Sequence, residues 1–201
     1  SRLFMICDSV ITLLISQPRS GTTTFCDKIA ELPSHGCMYE AFNINNPLYL
    51  TEQELSRVKF DHYVRDTIAK TDWLRNKKYI SFKMFQRDLL FFNEIMKHDI
   101  VDNLVYIKRD YKSVYESLRR ALLTGDWATT PDRRERGVGI DRSNVISSDK
   151  IKTYDKFATE TKNWWKHTRK IAQKKGLRYK DVLFTEVIDD KFDIQNIMEQ
   201  W

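Results

Sequence analysis

The stretch V-I-T-L-L-I-S-Q-P-R-S-G-T-T-T, residues 10–24, decides how the rest of the chain is interpreted. Its first part, Val10–Ser16, is a short apolar run rich in β-branched residues and predicts a buried strand. The following text, Thr22–Leu32, predicts a helix that ends at the next proline. A tight turn that contains Arg19 and Gly21 joins the two elements.

This turn has the composition of an anion-binding loop. Gly21 lets the backbone approach a ligand closely, and the free N–H groups of a first helical turn face an anion. Arg19 adds a positive charge whose planar fork suits phosphate or sulfate. The Gly-x4-Gly-Lys-Ser/Thr pattern is absent, which disfavours an ATPase or GTPase. An ordinary strand-to-helix turn with hydroxyl caps remains the alternative.

The loop resembles the 5′-phosphosulfate loop of sulfotransferases, enzymes that use 3′-phosphoadenosine 5′-phosphosulfate (PAPS). P-R-S-G-T-T, residues 18–23, follows an apolar strand as it does in that family. Many cytosolic members have lysine at the position of Arg19, whereas arginine occurs in other branches, including the trehalose sulfotransferase type. The resemblance implies that PAPS is the donor, that 3′-phosphoadenosine 5′-phosphate (PAP) is the product, and that five residues bind them: Arg19, Ser20, Gly21, Thr22 and Thr23.

A second motif tests the resemblance within the same chain. The family binds the 3′-phosphate with an arginine at the end of a strand and a serine eight positions later. Here Arg109 follows the predicted strand Leu104–Lys108, and Ser117 lies eight positions after Arg109, about two turns into the next predicted helix. Tyr111 stands where proline is common in the family. Taken alone, the pair also fits an exposed arginine beside a helical serine, but both motifs occur in the expected order.

Transfer to a hydroxyl requires a base, and the sequence offers two candidates. Glu40 follows the first predicted helix, where carbohydrate sulfotransferases of the trehalose and heparan sulfate type have a glutamate base. His35 is the rival, because the cytosolic branch uses histidine, although its flanking Ser34 and Gly36 suggest an exposed turn. The resemblance favours Glu40, and a surface acid in a loop is the alternative for that residue.

A lone lysine, Lys83, interrupts the predicted strand Tyr79–Phe85. A buried charge is expensive unless it is paired or functional. Related carbohydrate sulfotransferases have a lysine near the end of the equivalent strand, which implies that Lys83 and Arg19 together stabilise charge on the leaving phosphate. A strand-end lysine that points into water is the alternative. The resemblance implies no metal, because fixed cations can neutralise this charge.

Alternating strands and helices predict an α/β protein with a mostly parallel sheet flanked by helices. We expect a single domain over residues 1–201, and the resemblance implies the P-loop-NTPase-like sulfotransferase fold. The predicted strands cover residues 10–16, 37–42, 79–85, 104–108 and 181–185. The predicted helices cover residues 22–32, 51–75, 88–98 and 112–123, a long stretch that ends at Gly176, and a short terminal segment.

Composition limits the classes of protein that this chain can belong to. The chain has 201 residues, of which 41% are apolar and 12% aromatic, so it can bury a core and is not disordered. Its formal net charge of +6 favours an anionic partner. Three cysteines without a CxxC pair predict a reduced, cytoplasmic setting. No apolar stretch is long enough for a membrane span, and none resembles a signal peptide.

Two basic regions remain. Residues 148–180 contain 11 Lys or Arg and three acidic residues, a balance of +8. Apolar residues recur there at helical spacing, so we expect a packed helix with a solvated basic face and no nucleic-acid binding. The predicted face consists of Tyr154, Phe157, Ala158, Thr161, Trp165, Thr168 and Ala172. The loop Gly125–Arg142 contains Trp127, Arg133, Arg134, Arg136 and Arg142 and follows the helix that carries Ser117. Three interpretations stay open for it: it binds the 3′-phosphate, it binds an anionic acceptor, or it binds nothing. Trp127 is a candidate platform for a sugar ring, and covering the core is the favoured alternative.

The sequence therefore predicts a sulfotransferase that moves a sulfuryl group from PAPS to a hydroxyl by in-line displacement. A carbohydrate acceptor follows from the resemblance and Glu40, while a lipid, a small alcohol or a tyrosyl group stays open. Two other classes also remain: a P-loop-like nucleotide kinase that uses ATP, and a nucleotide-binding module without catalysis. The sequence does not predict the oligomeric state.

Overall fold

Five parallel strands form one sheet in the computed structural model, which describes residues 9–127, 135 and 139–200, apart from residues 41, 43–45, 47 and 190. The strands are β1 (Val10–Ser16), β2 (His35–Met38), β3 (Tyr79–Phe85), β4 (Asn103–Lys108) and β5 (Arg178–Leu183). Their order across the sheet is β2-β3-β1-β4-β5. The first strand therefore occupies the centre, which explains why its sequence is a continuous apolar run.

Helices connect the strands and cover both faces of the sheet. They are α1 (Thr22–Ala30), α2 (Glu52–Leu55), α3 (Phe60–Lys70), α4 (Leu89–Ile95), α5 (Tyr111–Thr124), α6 (Tyr154–Lys175), α7 (Phe184–Val187) and α8 (Ile194–Glu199). Short 3-10 turns occur at Gln86–Asp88, Arg142–Asn144 and Ser148–Lys150. None of the helices in the described part of the chain has the length and apolar character needed to cross a bilayer.

The two faces of β1 bury different layers. Ile11, Leu13 and Ile15 lie in a core with buried side chains of α3, α4 and α6. Leu14 points the other way, into a second core with α1, α7 and α8. This division follows from the two-residue period of a strand, in which successive side chains alternate between faces.

The parallel register brings the carboxyl ends of the strands to one edge. Ser16, the last residue of β1, pairs with Phe85, the last residue of β3. On the other side of the sheet, Lys108 at the end of β4 pairs with Leu183 at the end of β5. The loops that leave these ends therefore meet above the same edge, where ligands bind in open α/β sheets.

The α/β class and the parallel, helix-covered sheet are confirmed, and β1 and β3 have the predicted bounds. The predicted helix over residues 51–75 is divided into α2 and α3, and β2 is four residues long and begins earlier than predicted. The last strand, β5, also begins and ends earlier than predicted. Leu183 ends β5 because its N–H donates to Glu186 Oε2 at 2.6 Å, and the chain then turns into α7.

The long basic segment forms α6, and four residues of its predicted face are buried: Phe157, Thr161, Thr168 and Ala172. Tyr154, also predicted on this face, is exposed, and Trp164 is buried where Trp165 was expected. Trp164 is buried against Phe92, with ring centroids 5.1 Å apart. Trp165 is half-buried at the border of the core, where its Nε1 donates to Asp181 at 3.1 Å. The helical phase is as predicted, and the hydrogen bond to Asp181 keeps Trp165 at the edge of the core.

The expectation that His35 lies in an exposed turn is wrong. His35 is the first residue of β2, is 1% exposed, and stacks on Tyr79 with a centroid separation of 4.6 Å. Its Nε2 lies 3.7 Å from Glu199 Oε1. Burial lowers the pKa of His35 below its ordinary value, and Glu199 opposes part of that shift.

Replacing His35 should therefore change how stability depends on pH. Because the folded pKa is lowered, the unfolded chain binds the proton more tightly, and stability is lost as pH falls from about 6.5 toward the folded pKa. In His35→Phe, which keeps a ring on Tyr79, this loss should be reduced, by at most about 1.4 kcal/mol per pH unit. Urea unfolding on both sides of that window measures it.

The control is His62→Phe, because the His62 side chain is 77% exposed and its Nε2 lies 3.9 Å from Asp61, so it reports what a surface histidine contributes without burial. An unaltered pH dependence in His35→Phe would contradict the assignment of His35 as a neutral, buried ring.

Candidate functional site

A cavity of about 900 Å³ lies at the carboxyl edge of the sheet. Its volume is within the range of sites that enclose a small-molecule ligand. The β1–α1 loop, the ends of β3 and β4, and the start of α7 supply its lining, together with residues near 127 and 140. The cavity is therefore built by segments that the parallel register brings together.

The β1–α1 loop forms the floor of this cavity and has an unusual backbone. Arg19 adopts the left-handed region with φ 71°, and Gly21 follows with φ 86°. For a residue other than glycine this conformation costs roughly 1–2 kcal/mol. The turn directs the start of α1 toward the cavity, and the N–H groups of its first turn have no acceptors within the helix. Such a helix terminus is suited to an anion.

The side chain of Arg19 connects this loop to the second motif. Its Nε donates to Ser117 Oγ at 3.0 Å, and its Nη1 donates to the carbonyl oxygen of Trp127 at 2.9 Å. Arg109 Nη1 in turn donates to the carbonyl oxygen of Arg19 at 3.0 Å. Two motifs that lie about 90 residues apart in sequence thus form one hydrogen-bonded group.

Helix α5 positions Ser117 for this contact. It begins at Tyr111, with Asp110 as its N-cap accepting from the N–H of Ser113 at 2.8 Å. The turn from β4 into the helix is therefore intact with Tyr111 as the first residue of α5. Asp110 satisfies the free N–H groups at the helix start.

A chain of charged side chains forms the opposite wall. Lys83 is 4% exposed, and its Nζ donates to Thr23 Oγ1 at 3.2 Å and lies 3.3 Å from Glu40 Oε1. Arg87 pairs with the other carboxylate oxygen, Glu40 Oε2. A buried lysine is stable only with such partners, so the alternative that Lys83 points into water is wrong.

A capped turn places Arg87 at the cavity. Asp88 Oδ2 accepts from the N–H of Phe85 at 2.8 Å and so closes the turn that follows β3. Burial raises the pKa of the Asp88 carboxyl. Arg87 lies within this turn, with its guanidinium carbon 5.1 Å from the centre of the Phe85 ring.

Among the described residues that line the cavity, positive charges outnumber negative ones. Four cationic side chains face it, and two carboxylates, Glu40 and Asp141, oppose them. The free N–H groups of α1 add a partial positive charge. The cationic residues are Arg19, Lys83, Arg87 and Arg109. A site of this composition favours a ligand with several negative charges.

Most of the predicted site residues lie at this cavity. Ser20 is buried beneath the loop, and Ser117 is reached through Arg19. His35, the rival base, lies at the amino end of β2, on the edge of the sheet away from the cavity. The residues that line the cavity as predicted are Arg19, Gly21, Thr22, Thr23, Glu40, Lys83 and Arg109.

The predicted arginine-rich loop is described only in part. Arg133, Arg134 and Arg136 fall outside the described residues, and Arg142 is exposed. Trp127 does line the cavity, and its N–H donates to the carbonyl oxygen of Gly139 at 2.6 Å. The two described ends of this loop therefore pair with each other and close one side of the site.

Sequence reasoning missed several lining residues, among them Phe85, Arg87 and Phe184. The first two lie at or just after the end of a predicted strand, and that position was the available signal. Phe184 was placed inside the last strand instead of at the start of α7. The pairing of β4 with β5 brings Phe184 beside Arg109 at the cavity, and the sequence does not show this pairing.

Neither known protein-family models nor curated proteins give a match to this chain. Among the described residues, no group of three or more His, Cys, Asp or Glu side chains is arranged to hold a metal ion. The function is therefore inferred from the geometry of the cavity.

Gly21, the glycine of the β1–α1 loop, should be harder to replace than Gly176. An added Cβ would lie 2.0 Å from the Phe184 ring, and the φ of 86° is itself unfavourable for other residues. Gly176, with φ 66° and no atom within 4 Å of an added Cβ, is the matched control. We expect Gly176→Ala to cost about 1 kcal/mol, and Gly21→Ala to cost about 1–3 kcal/mol more.

Urea unfolding of the two variants at neutral pH measures this difference. Equal losses of stability in Gly21→Ala and Gly176→Ala would show that the Phe184 ring does not restrict the loop.

Proposed function

We propose that the chain is a sulfotransferase that transfers a sulfuryl group from PAPS to a hydroxyl group, most simply on a carbohydrate. The observation that carries the proposal is the hydrogen-bonded group of Arg19, Arg109 and Ser117. It joins the loop that resembles a 5′-phosphosulfate site to the pair that resembles a 3′-phosphate site. A molecule with phosphate groups at both ends of one nucleoside matches two linked anion sites.

The donor fits the residues that are present. The first turn of α1 offers backbone N–H groups and the hydroxyls of Thr22 and Thr23 to the phosphosulfate end. Arg109 and Ser117 offer a guanidinium fork and a hydroxyl to the 3′-phosphate. Arg19 contacts Ser117 and belongs to the loop, so it lies between the two ends. When bound, PAPS supplies the sulfuryl group and leaves as PAP.

Glu40 is proposed as the base. Its carboxylate lies at the cavity wall with both oxygens oriented, one by Lys83 and the other by Arg87. A carboxylate held in this way can accept the proton of an acceptor hydroxyl while the hydroxyl oxygen attacks sulfur. Positioning and fixed charge then do most of the catalytic work.

Lys83 is proposed to stabilise charge on the departing phosphate oxygen. It contacts both Thr23 of the anion loop and the proposed base, so it lies between donor and acceptor. Arg19 was predicted to share this role, but its side chain points toward Ser117 in the described structure. We therefore assign the charge at the transfer point mainly to Lys83 and to the start of α1.

The proposal extends to the acceptor molecule and to the cellular compartment. Trp127 is a half-buried aromatic residue that lines the cavity, and an indole ring in this position can stack on a sugar ring. A hydroxylated small molecule would use the same contacts. Cys26 and Cys37 are free and buried, which agrees with a reduced, cytoplasmic setting.

Binding of PAP tests the proposal before any acceptor is known. Calorimetric titration should show that PAP binds and that AMP, which lacks the 3′-phosphate, binds more weakly. Arg109→Ala should lower PAP affinity about 10- to 100-fold, because it removes a charged hydrogen-bond donor. Arg178→Ala is the control, since this exposed arginine lies at the other edge of the sheet.

Two results would overturn the assignment of the donor. A preference for ATP over PAP would favour a nucleotide kinase, the alternative that shares an anion loop. Equal binding of PAP and AMP would show that no 3′-phosphate site exists. Tight PAP binding without turnover would leave a nucleotide-binding module.

Glu40→Gln tests the proposed base. Formation of PAP from PAPS in the presence of a panel of mono- and oligosaccharides should fall at least about 100-fold, because the amide cannot accept the proton. PAP affinity should change little. Glu31→Gln, at an exposed acid after α1, is the control. Unchanged turnover in Glu40→Gln would remove Glu40 from the mechanism.

A further inference from the structure

Phe184 occupies a position that the proposed mechanism does not explain. It is the first residue of α7, is half-buried, and lines the cavity between the anion loop and Arg109. One side of its ring faces Gly21, where an added Cβ would lie 2.0 Å from the ring. The guanidinium carbon of Arg109 lies 4.3 Å from the ring centre. A single ring thus contacts both predicted anion sites.

The sheet fixes this ring from two directions. Lys108 and Leu183 are the last paired residues of β4 and β5, so Arg109 and Phe184 are the next residues on each strand. Leu183 is held at the turn by Glu186, and Val187 of the same helix is fully buried. The backbone that carries Phe184 therefore has little freedom to move away from Arg109.

We infer that Phe184 is a positioning residue that sets the separation between the two anion sites by contact with Gly21 and Arg109. Its bulk limits how far the Gly21 backbone approaches β5, and its face holds the Arg109 guanidinium. The inference rests on the proposed function, because the Arg109 site is taken to bind the 3′-phosphate. Phe184 itself would touch neither phosphate group of the nucleotide.

Loss of the ring should have two separate effects. The first concerns packing: without the ring, an added Cβ at Gly21 has room. The second concerns specificity: without the ring face, the Arg109 guanidinium loses a surface that orients it. A cation over an aromatic face contributes enough to change affinity about fivefold.

A double-mutant cycle in the free protein tests the packing effect. Unfolding midpoints are measured for Gly21→Ala, Phe184→Ala and the double variant. We expect the loss caused by Gly21→Ala to shrink by at least half when Phe184 is already alanine. Additive losses would overturn the proposal regardless of which ligand the cavity binds.

Affinities for PAP and AMP test the specificity effect. In Phe184→Leu the ratio of PAP to AMP affinity should fall about fivefold, and Phe184→Tyr, which keeps the ring, should restore it. If the ring only contacted the adenine base, its loss in Phe184→Leu would lower both affinities alike and leave the ratio unchanged, which would overturn the proposal. Phe192→Leu is the control, because Phe192 is a half-buried ring near Lys28 on the same face of the sheet.

The two experiments separate this inference from the proposed function. If wild-type protein does not distinguish PAP from AMP, the proposed function fails and so does the role assigned to Phe184 in specificity. If wild-type protein does distinguish them but the ratio is unchanged in Phe184→Leu, only the inference about Phe184 fails.

Discussion

The contacts of Arg19 join the parts of the cavity that the rest of the site depends on. Its backbone carbonyl accepts from Arg109, and its guanidinium donates to Ser117 and to the carbonyl of Trp127. These contacts hold a left-handed backbone that would otherwise be unfavourable. They also hold two guanidinium groups on one side of the cavity. An anion between them would relieve the repulsion between like charges, so the arrangement suits a multiply charged ligand.

The parallel sheet explains how residues so far apart in sequence reach one place. The carboxyl ends of β1, β3, β4 and β5 lie at one edge, and each supplies a side chain that lines the cavity in or after its last residues. Lys83 is the exception, because it lies inside β3 and reaches the cavity along the face covered by α1. Because Lys83 is buried, its pairing with Glu40 stabilises the structure whether or not the proposed chemistry is correct.

The sequence predicted the features that depend on local pattern. The apolar run of β1, the glycine in the turn and the spacing of Arg109 and Ser117 are all visible in the chain alone. The prediction that His35 is exposed was wrong, because Ser34 and Gly36 suggest a turn, whereas pairing between β2 and β3 buries the ring. Phe184 could not be recognised as a lining residue, because that depends on which loops meet above the sheet, whereas the position of Arg87 just after a predicted strand was an available signal.

The central claim is that the two motifs bind opposite ends of one nucleotide. A crystal structure of the protein with PAP tests this directly. The account predicts the 3′-phosphate within hydrogen-bonding distance of Arg109 and Ser117, and the 5′-phosphate at the N–H groups that follow Gly21. A nucleotide bound in the reverse orientation, or outside the cavity, would contradict it.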